Sequence, residues 1–208
     1  MKGNALQKLL RLAGYLAAHP GETGKYLSQS LGKKSPLELG LPWISFDAIE
    51  FLTDYVQKEH TVAEFGGGGS SLFFARRAKQ VLCIESDGQW ADSIRAAIER
   101  EGLANFTLDL LPFDPNNPAS YEESAHLHRL DGEMFDIILV DGYEEDELLR
   151  PICFRHAEKH INQGGIIIVD DSWRYPQLCE QNNAKRRQRY QSIGPCRPGV
   201  TTTDIYFY

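Results

Sequence analysis

The stretch "VAEFGGGGSS", Val62–Ser71, decides the fold. Glu64 stands near the end of a short apolar strand pattern, four glycines follow, and "SSLFFARRAK" continues at helical spacing. A glycine loop of this kind holds a phosphate, a dinucleotide or a sulfonium cofactor, or is simply a flexible turn. A nucleoside-triphosphate loop places a lysine on the terminal phosphates. The next basic residues here are Arg76 and Arg77, inside the helix pattern, so that reading is excluded. A dinucleotide loop, G-x-G-x-x-G, fits imperfectly, because Ser71 takes the place of the third glycine. Glu64 is expected to point an anionic group into the site. It would repel a pyrophosphate and favour a ligand carrying an amino group and a sulfonium.

Outward from this loop the chain alternates between strand and helix. Downstream come strand patterns at "QVLCIE", "NFTLDLL", "MFDIILVD" and "GIIIVDD", the last two apolar almost throughout, as in strands covered on both faces. Helix patterns lie between them at "GQWADSIRAAIEREG" and "DELLRPICFRHAEKHI". The connection Pro112–Glu133 is expected to hold a short helix around Tyr121–Leu130 and to wall a ligand pocket. A helix over Gln177–Gln188 is expected next, with the basic run Lys185–Arg189 as its solvated end. Strand-like pieces at "RYQSIG" and "TTTDIYFY" then flank a hairpin connection over Gly194–Gly199. Upstream, Leu6, Leu9, Leu10, Ala13 and Leu16 predict a helix over Asn4–His19. A short helix is expected around Tyr26–Leu31, and a longer one over Ser45–Lys58 with Ser45 as N-cap. The pattern predicts an α/β fold: a doubly wound, mostly parallel sheet with helices on both faces, an antiparallel C-terminal strand within a final hairpin that adds an antiparallel edge, and an N-terminal helical extension. The expected division is 1–44 as a helical cap and 45–208 as the sheet domain.

Bulk properties narrow the partners. A net charge of -7 over 208 residues argues against a general affinity for nucleic acid or an anionic membrane. Cys83, Cys153, Cys179 and Cys196 form no C-x-x-C pair and read as reduced thiols of a cytoplasmic protein. "LLRLAGYLAA" is too short to span a bilayer. A homodimer through the N-terminal helices is the expected assembly.

Glu85, in "CIESD", ends the second strand pattern, where a carboxylate accepts both hydrogen bonds of a ribose diol. With "EFGGGGS", "CIESD", "FDIILVDG" and "GGIIIVDD" in this order, the chain from about Ser45 onward resembles the class I S-adenosylmethionine-dependent methyltransferases, whose sheet is Rossmann-like. The resemblance implies S-adenosylmethionine as cofactor. Glu64, Gly66, Gly67, Gly68, Ser70 and Ser71 would surround its methionine portion, Glu85 and Ser86 would lie at the ribose, and Leu111–Asp114 beside the adenine, Asp114 included. Trp90 is read two ways, as a cover over the ribose or adenine edge or as packing of its helix on the sheet. Trp43 likewise either closes the methionine end or packs in the core.

Methyl transfer requires an aligned acceptor and removal of its proton. Asp141 and Asp170 are the candidate catalytic residues, and Asp141 is also a candidate for the cofactor's amino end. With Asp171 they form a carboxylate set that suits Mg²⁺, similar to the catechol O-methyltransferase-like branch. That branch has an Asp-Asn pair where Asp170-Asp171 stands and a lysine base that "DGYEED" lacks. The other reading has Asp141 ordering the cofactor's amino end and Asp170 the local backbone. His156 and His160 are spaced i, i+4, and His126 and His128 i, i+2; the first pair reads as a solvated helix face. The expected function is methylation of a small molecule at oxygen. A non-catalytic cofactor-binding protein of the same fold and a NAD(P)-dependent oxidoreductase are the alternatives.

Overall fold

A computed structural model of the chain describes residues 4–114, 116–142 and 147–208. β1 (Thr61–Phe65), β2 (Gln80–Glu85), β3 (Phe106–Leu110), β4 (Phe135–Val140), β5 (Ile161–Asp170), β6 (Arg186–Ile193) and β7 (Val200–Phe207) form a seven-stranded sheet in the order β3-β2-β1-β4-β5-β7-β6. The first five strands pair in parallel, and β7 runs antiparallel to both β5 and β6. The strand order reverses between β1 and β4. In an open α/β sheet such a reversal leaves a crevice at the carboxyl ends of the strands.

Two-residue periodicity sends alternate side chains of each strand to opposite faces. Val62, Val81, Ile137, Ile166 and Ile205 face one core, shared with α1 (Ala5–Ala18), α4 (Phe46–Tyr55), α5 (Gly69–Ala75) and α6 (Gly88–Glu101). Ala63, Leu82, Ile138, Ile167 and Tyr206 face the other, shared with α7 (Pro118–Glu122) and α8 (Leu149–Ala157). The sheet is therefore doubly wound. Between α1 and α4 lie α2 (Thr23–Lys25), a π turn over Tyr26–Ser30 and α3 (Pro36–Leu39). Asn4 caps α1 through a reciprocal capping box with Gln7, and Gly102 ends α6 in the left-handed conformation.

The structure corrects several sequence expectations. The final hairpin does add the expected antiparallel edge, with β7 against β5 and β6 outermost. The helix expected over Gln177–Gln188 is instead a 3₁₀ turn at Pro176–Cys179 followed by β6. Tertiary pairing overrides the helix propensity of this Lys/Arg/Gln-rich run. Arg187 and Arg189 reach across to Asp204 of β7, whose side chain is 1% exposed, so the basic run is a paired strand and not a solvated helix end. The helix expected around Tyr121–Leu130 resolves into α7 and a 3₁₀ turn at Leu127–Leu130. α8 begins at Leu149, and the expected first residue of that helix, Asp146, lies outside the described residues. β5 starts earlier than expected, at Ile161, and passes through an irregularity in its pairing with β4.

Candidate functional site

At the carboxyl edge of β1, β2 and β4 a cavity of about 1100 Å³ opens. The glycine loop floors it. Gly66 has φ +83° and sits against the backbone of Asp141 and Gly142, so a side chain here would be both strained and blocked. At Gly69 a Cβ would come within 2.0 Å of the Leu41 carbonyl oxygen, because the segment after α3 rests directly on the start of α5. The glycine run therefore serves both ligand approach and the docking of the N-terminal segment.

Glu64 does not face the cavity. It has the strand parity of Val62 and lies beneath the loop, fully buried. The Ser71 hydroxyl donates to Glu64 Oε1, and the Gly68 N–H donates to Ser71 Oγ at 3.0 Å. Glu64 Oε2 is buried without a hydrogen-bond partner, and burial pushes the carboxyl up to about 7 despite hydrogen bonds from Ser70, Ser71 and Cys83. Glu64 and Ser71 thus hold the shape of the loop from below. The expectation that Glu64 repels a pyrophosphate is corrected: strand alternation turns it away from any ligand.

Glu85 does open on the cavity. Its Oε2 accepts from the Gly67 N–H at 3.1 Å, and its Oε1 accepts from the N–H groups of Ser86 and Asp87 at 2.7 and 2.9 Å. A carboxylate offers about four acceptor positions, so three backbone bonds fix its orientation and leave capacity for a ligand hydroxyl. The Trp90 indole donates to the Gly67 carbonyl at 2.8 Å and stands over Gly68. It lines the cavity and is not buried between helix and sheet. Trp43, 49% exposed, also lines the cavity and is no core residue. From the connection after β3 it is Phe113 that enters, its ring 4.7 Å from that of His126. Asp114 is exposed and accepts from the Asn116 N–H, a local turn away from the cavity. Gly66, Gly67, Gly68, Ser70 and Ser86 line it as well.

The three aspartates at the reacting end are each paired with arginine. Arg150 of α8 contacts Asp141 Oδ1 at 2.9 Å. Arg197, from the β6–β7 connection, contacts Asp170 Oδ2 at 2.6 Å and Asp171 Oδ1 at 2.7 Å, and donates to the Trp43 carbonyl. Asp170 is completely buried behind Arg197 and does not line the cavity, whereas Asp141 and Asp171 do. Burial lifts the Asp141 carboxyl, with Arg150 pulling against it. Burial also lifts Asp170. For Asp171 burial pushes upward, but the charge of Arg197 and its hydrogen bond outweigh it and hold the carboxyl low. Asp171 carries φ 49°, a backbone conformation uncommon for a non-glycine residue and locked here by Arg197 and Thr201.

This set does not fit a divalent cation. Two guanidiniums already occupy the space between the carboxylates and neutralise two of their three charges, where Mg²⁺ requires free oxygen donors. The expectation of Mg²⁺ held by Asp141, Asp170 and Asp171 is corrected on that ground. Arg150 and Arg197 were missed in the sequence because neither belongs to a motif: Arg197 lies 27 positions from Asp170 and meets it only through the hairpin.

No family model matches the chain, and no curated protein matches it. Among solved structures, an O-methyltransferase from Bacillus cereus in complex with SAH is similar with TM-score 0.62 and 20% identity, over 94% of this chain and 98% of that one. The O-methyltransferase TomG from Streptomyces achromogenes, in complex with SAM, gives TM-score 0.60 and 16% identity, over 96% and 97%. An rRNA methylase from Streptococcus thermophilus gives TM-score 0.57 and 14% identity, over 84% and 98%. At such identities the likeness speaks to architecture, and the architecture agrees across these structures: the chain has the fold of the class I S-adenosylmethionine-dependent methyltransferases.

Proposed function

We propose that the chain is an S-adenosylmethionine-dependent methyltransferase that methylates a small molecule at oxygen. One observation carries this reading: a single cavity joins Glu85 and the glycine loop at one end to Asp141 and Asp171 at the other. Pockets for one small ligand run to roughly 300–1,000 Å³. At about 1100 Å³ this one has room for a nucleoside cofactor and a small acceptor together.

The residues present fit that cofactor. Glu85 would accept from a ribose hydroxyl, the backbone of Gly66–Gly68 would lie against the methionine portion, and Trp90 and Phe113 would flank the base. When bound, S-adenosylmethionine supplies a methyl group on a cationic sulfur. With Asp141, Asp170 and Asp171 all ionised, their pairing with Arg150 and Arg197 leaves one net negative charge, which favours a cationic ligand. Asp141 is the group that takes the acceptor's proton, since burial raises its affinity for one and it faces the cavity. Asp170 acts through Arg197 as a positioning residue.

Within the segment 1–44, residues 4–44 serve as a cap over the methionine end; Ala5, Lys8 and Leu9 of α1 and Trp43 line the cavity. Exposed Leu6 and Leu10 on α1 support a homodimer. Cysteines outside any disulfide among the described residues support a cytoplasmic location, and among those residues no helix is long and apolar enough to cross a membrane.

Titration calorimetry with S-adenosylmethionine, S-adenosylhomocysteine and NAD tests the cofactor. The first two are expected to bind, and Glu85→Ala to weaken both at least tenfold. Binding of NAD alone would overturn the reading in favour of an oxidoreductase. Transfer of a labelled methyl group is then followed over phenols, alcohols and bulk RNA. Labelled RNA with no labelled small molecule would overturn the acceptor class, and cofactor binding without transfer to any acceptor would favour a non-catalytic protein.

A further inference from the structure

The opposite, amino edge of the sheet holds a second cluster that the methyl-transfer reading does not use. His128 lies on the 3₁₀ turn Leu127–Leu130, with Asp131 just after it; His156 lies in the last turn of α8 and His160 in the turn between α8 and β5. His160 borders the start of β4, where its carbonyl accepts from the Phe135 N–H. His128 Nδ1 is 2.8 Å from Asp131 Oδ2, while His156 Nε2 and His160 Nε2 are 3.1 and 3.2 Å from Asp131 Oδ1. Donor atoms of His128, Asp131 and His156 all lie within 4.8 Å of one another. The expectation that His156 and His160 form a solvated helix face is corrected, since both are buried.

Two of these rings are already oriented from behind. His128 Nε2 lies 2.9 Å from the Glu122 carbonyl oxygen, and His160 Nδ1 lies 3.1 Å from that of Glu133. A carbonyl only accepts, so these nitrogens carry the ring proton. The opposite nitrogen of each ring faces an oxygen of Asp131. His156 is 6% exposed, and its Nε2 is buried without a hydrogen bond although it lies beside the same oxygen. A cation between His128, His156 and Asp131 would give that buried nitrogen the partner it lacks. Imidazoles whose outer N–H groups are held by backbone carbonyls are the usual form of metal-ligating histidines.

We propose that His128, His156 and Asp131 bind one divalent transition ion of the Zn²⁺ class, at a site separate from the methyl-transfer pocket, with His160 beside it. Two imidazoles and a carboxylate, with a fourth position open to water, suit that class. Bonds of ~2.0–2.1 Å in a tetrahedron place donor atoms about 3.3 Å apart; Asp131 oxygens stand 2.8 Å from His128 and 3.1 Å from His156, and donor atoms of all three residues lie within 4.8 Å of one another. The ion would tie the connection after β3, which carries Phe113 to the cavity wall, to α8. The proposal does not depend on the methyltransferase reading.

The test uses the untagged full chain, stripped with a chelator and titrated with Co²⁺ alone. One equivalent is expected to bind with the intense visible absorption of a tetrahedral site, and one equivalent of Zn²⁺ is expected to displace it. His128→Ala and Asp131→Asn alter half-exposed groups, and circular dichroism verifies that they stay folded. Each is expected to weaken Co²⁺ at least tenfold. No binding to the unaltered chain, or binding of equal strength in both variants, overturns the site.

Discussion

Glu64 shows how strand parity converts a candidate ligand-binding carboxylate into an internal prop. Its identity was legible in the sequence, but its direction was not, because the side chain at the last turn of a strand can face a ligand or the helix that follows. The structure puts it under α5, in contact with Ser71 and Cys83. Burial raises it from 4.5 in the unfolded chain to about 7. A carboxyl shifted upward stabilises the fold fully below the unfolded value, and that contribution is lost as pH rises through the folded one. At about 1.4 kcal/mol per unit the loss comes to about 3 kcal/mol between roughly pH 4.5 and 7. Urea denaturation of the wild type and Glu64→Gln across this window is expected to show the two curves separating by about that amount, the variant gaining relative to wild type as pH rises. Asp141 adds a slope of the same sign, but it is common to both proteins and cancels. Parallel curves would show that Glu64 does not titrate there. Glu85, by contrast, sits on the cavity where the βα spacing put it. Asp114 does not, because a one-residue difference along an irregular loop exchanges it for Phe113.

At the scale of elements, the parallel strands and their helices were readable because apolar runs of β length and helical periodicity leave little choice. The C-terminal hairpin was read only in part. Its second strand follows from "TTTDIYFY", but its first strand begins in a run of Lys, Arg and Gln whose local preference is helical. Pairing along β7, with the buried Asp204 binding two of the run's arginines, holds that run extended, and Asp204 lies 15 and 17 residues away from those arginines. The same hairpin delivers Arg197 to Asp170 and Asp171. Removing one partner of a buried pair leaves the other charge uncompensated and costs about 3–5 kcal/mol. Arg197→Ala is expected to lose that much stability in urea denaturation, with Arg197→Lys between it and the wild type. A loss below about 1 kcal/mol would show that the hairpin docks without this pair.

For the whole molecule, the open question is how many copies act together. α1 presents Leu6, Leu9 and Leu10 at 63%, 61% and 62% exposure, a concentration of apolar surface unusual on an isolated domain. If two copies bury these faces against each other, sedimentation of the wild type gives a dimer and Leu6→Glu with Leu10→Glu gives a monomer of unchanged fold. A wild-type chain that sediments as a monomer at every concentration would remove the pairing.

The sheet order also sets a sequence of events on the ribosome. β7 fills the place between β5 and β6, yet it is translated after both. Until it emerges, β6 has no neighbour in the sheet, and β5 shows a bare edge flanked by Ile166, Ile167, Ile168 and Val169. At ~5–20 residues per second, the stretch from Asp170 to Val200 keeps that edge open on the order of seconds. Strand edges left open in this way recruit other chains, and positive charge discourages them. In the finished fold the outermost strand is β6, and the positive charge of Arg186, Arg187 and Arg189 along it is of the kind that discourages pairing with another chain.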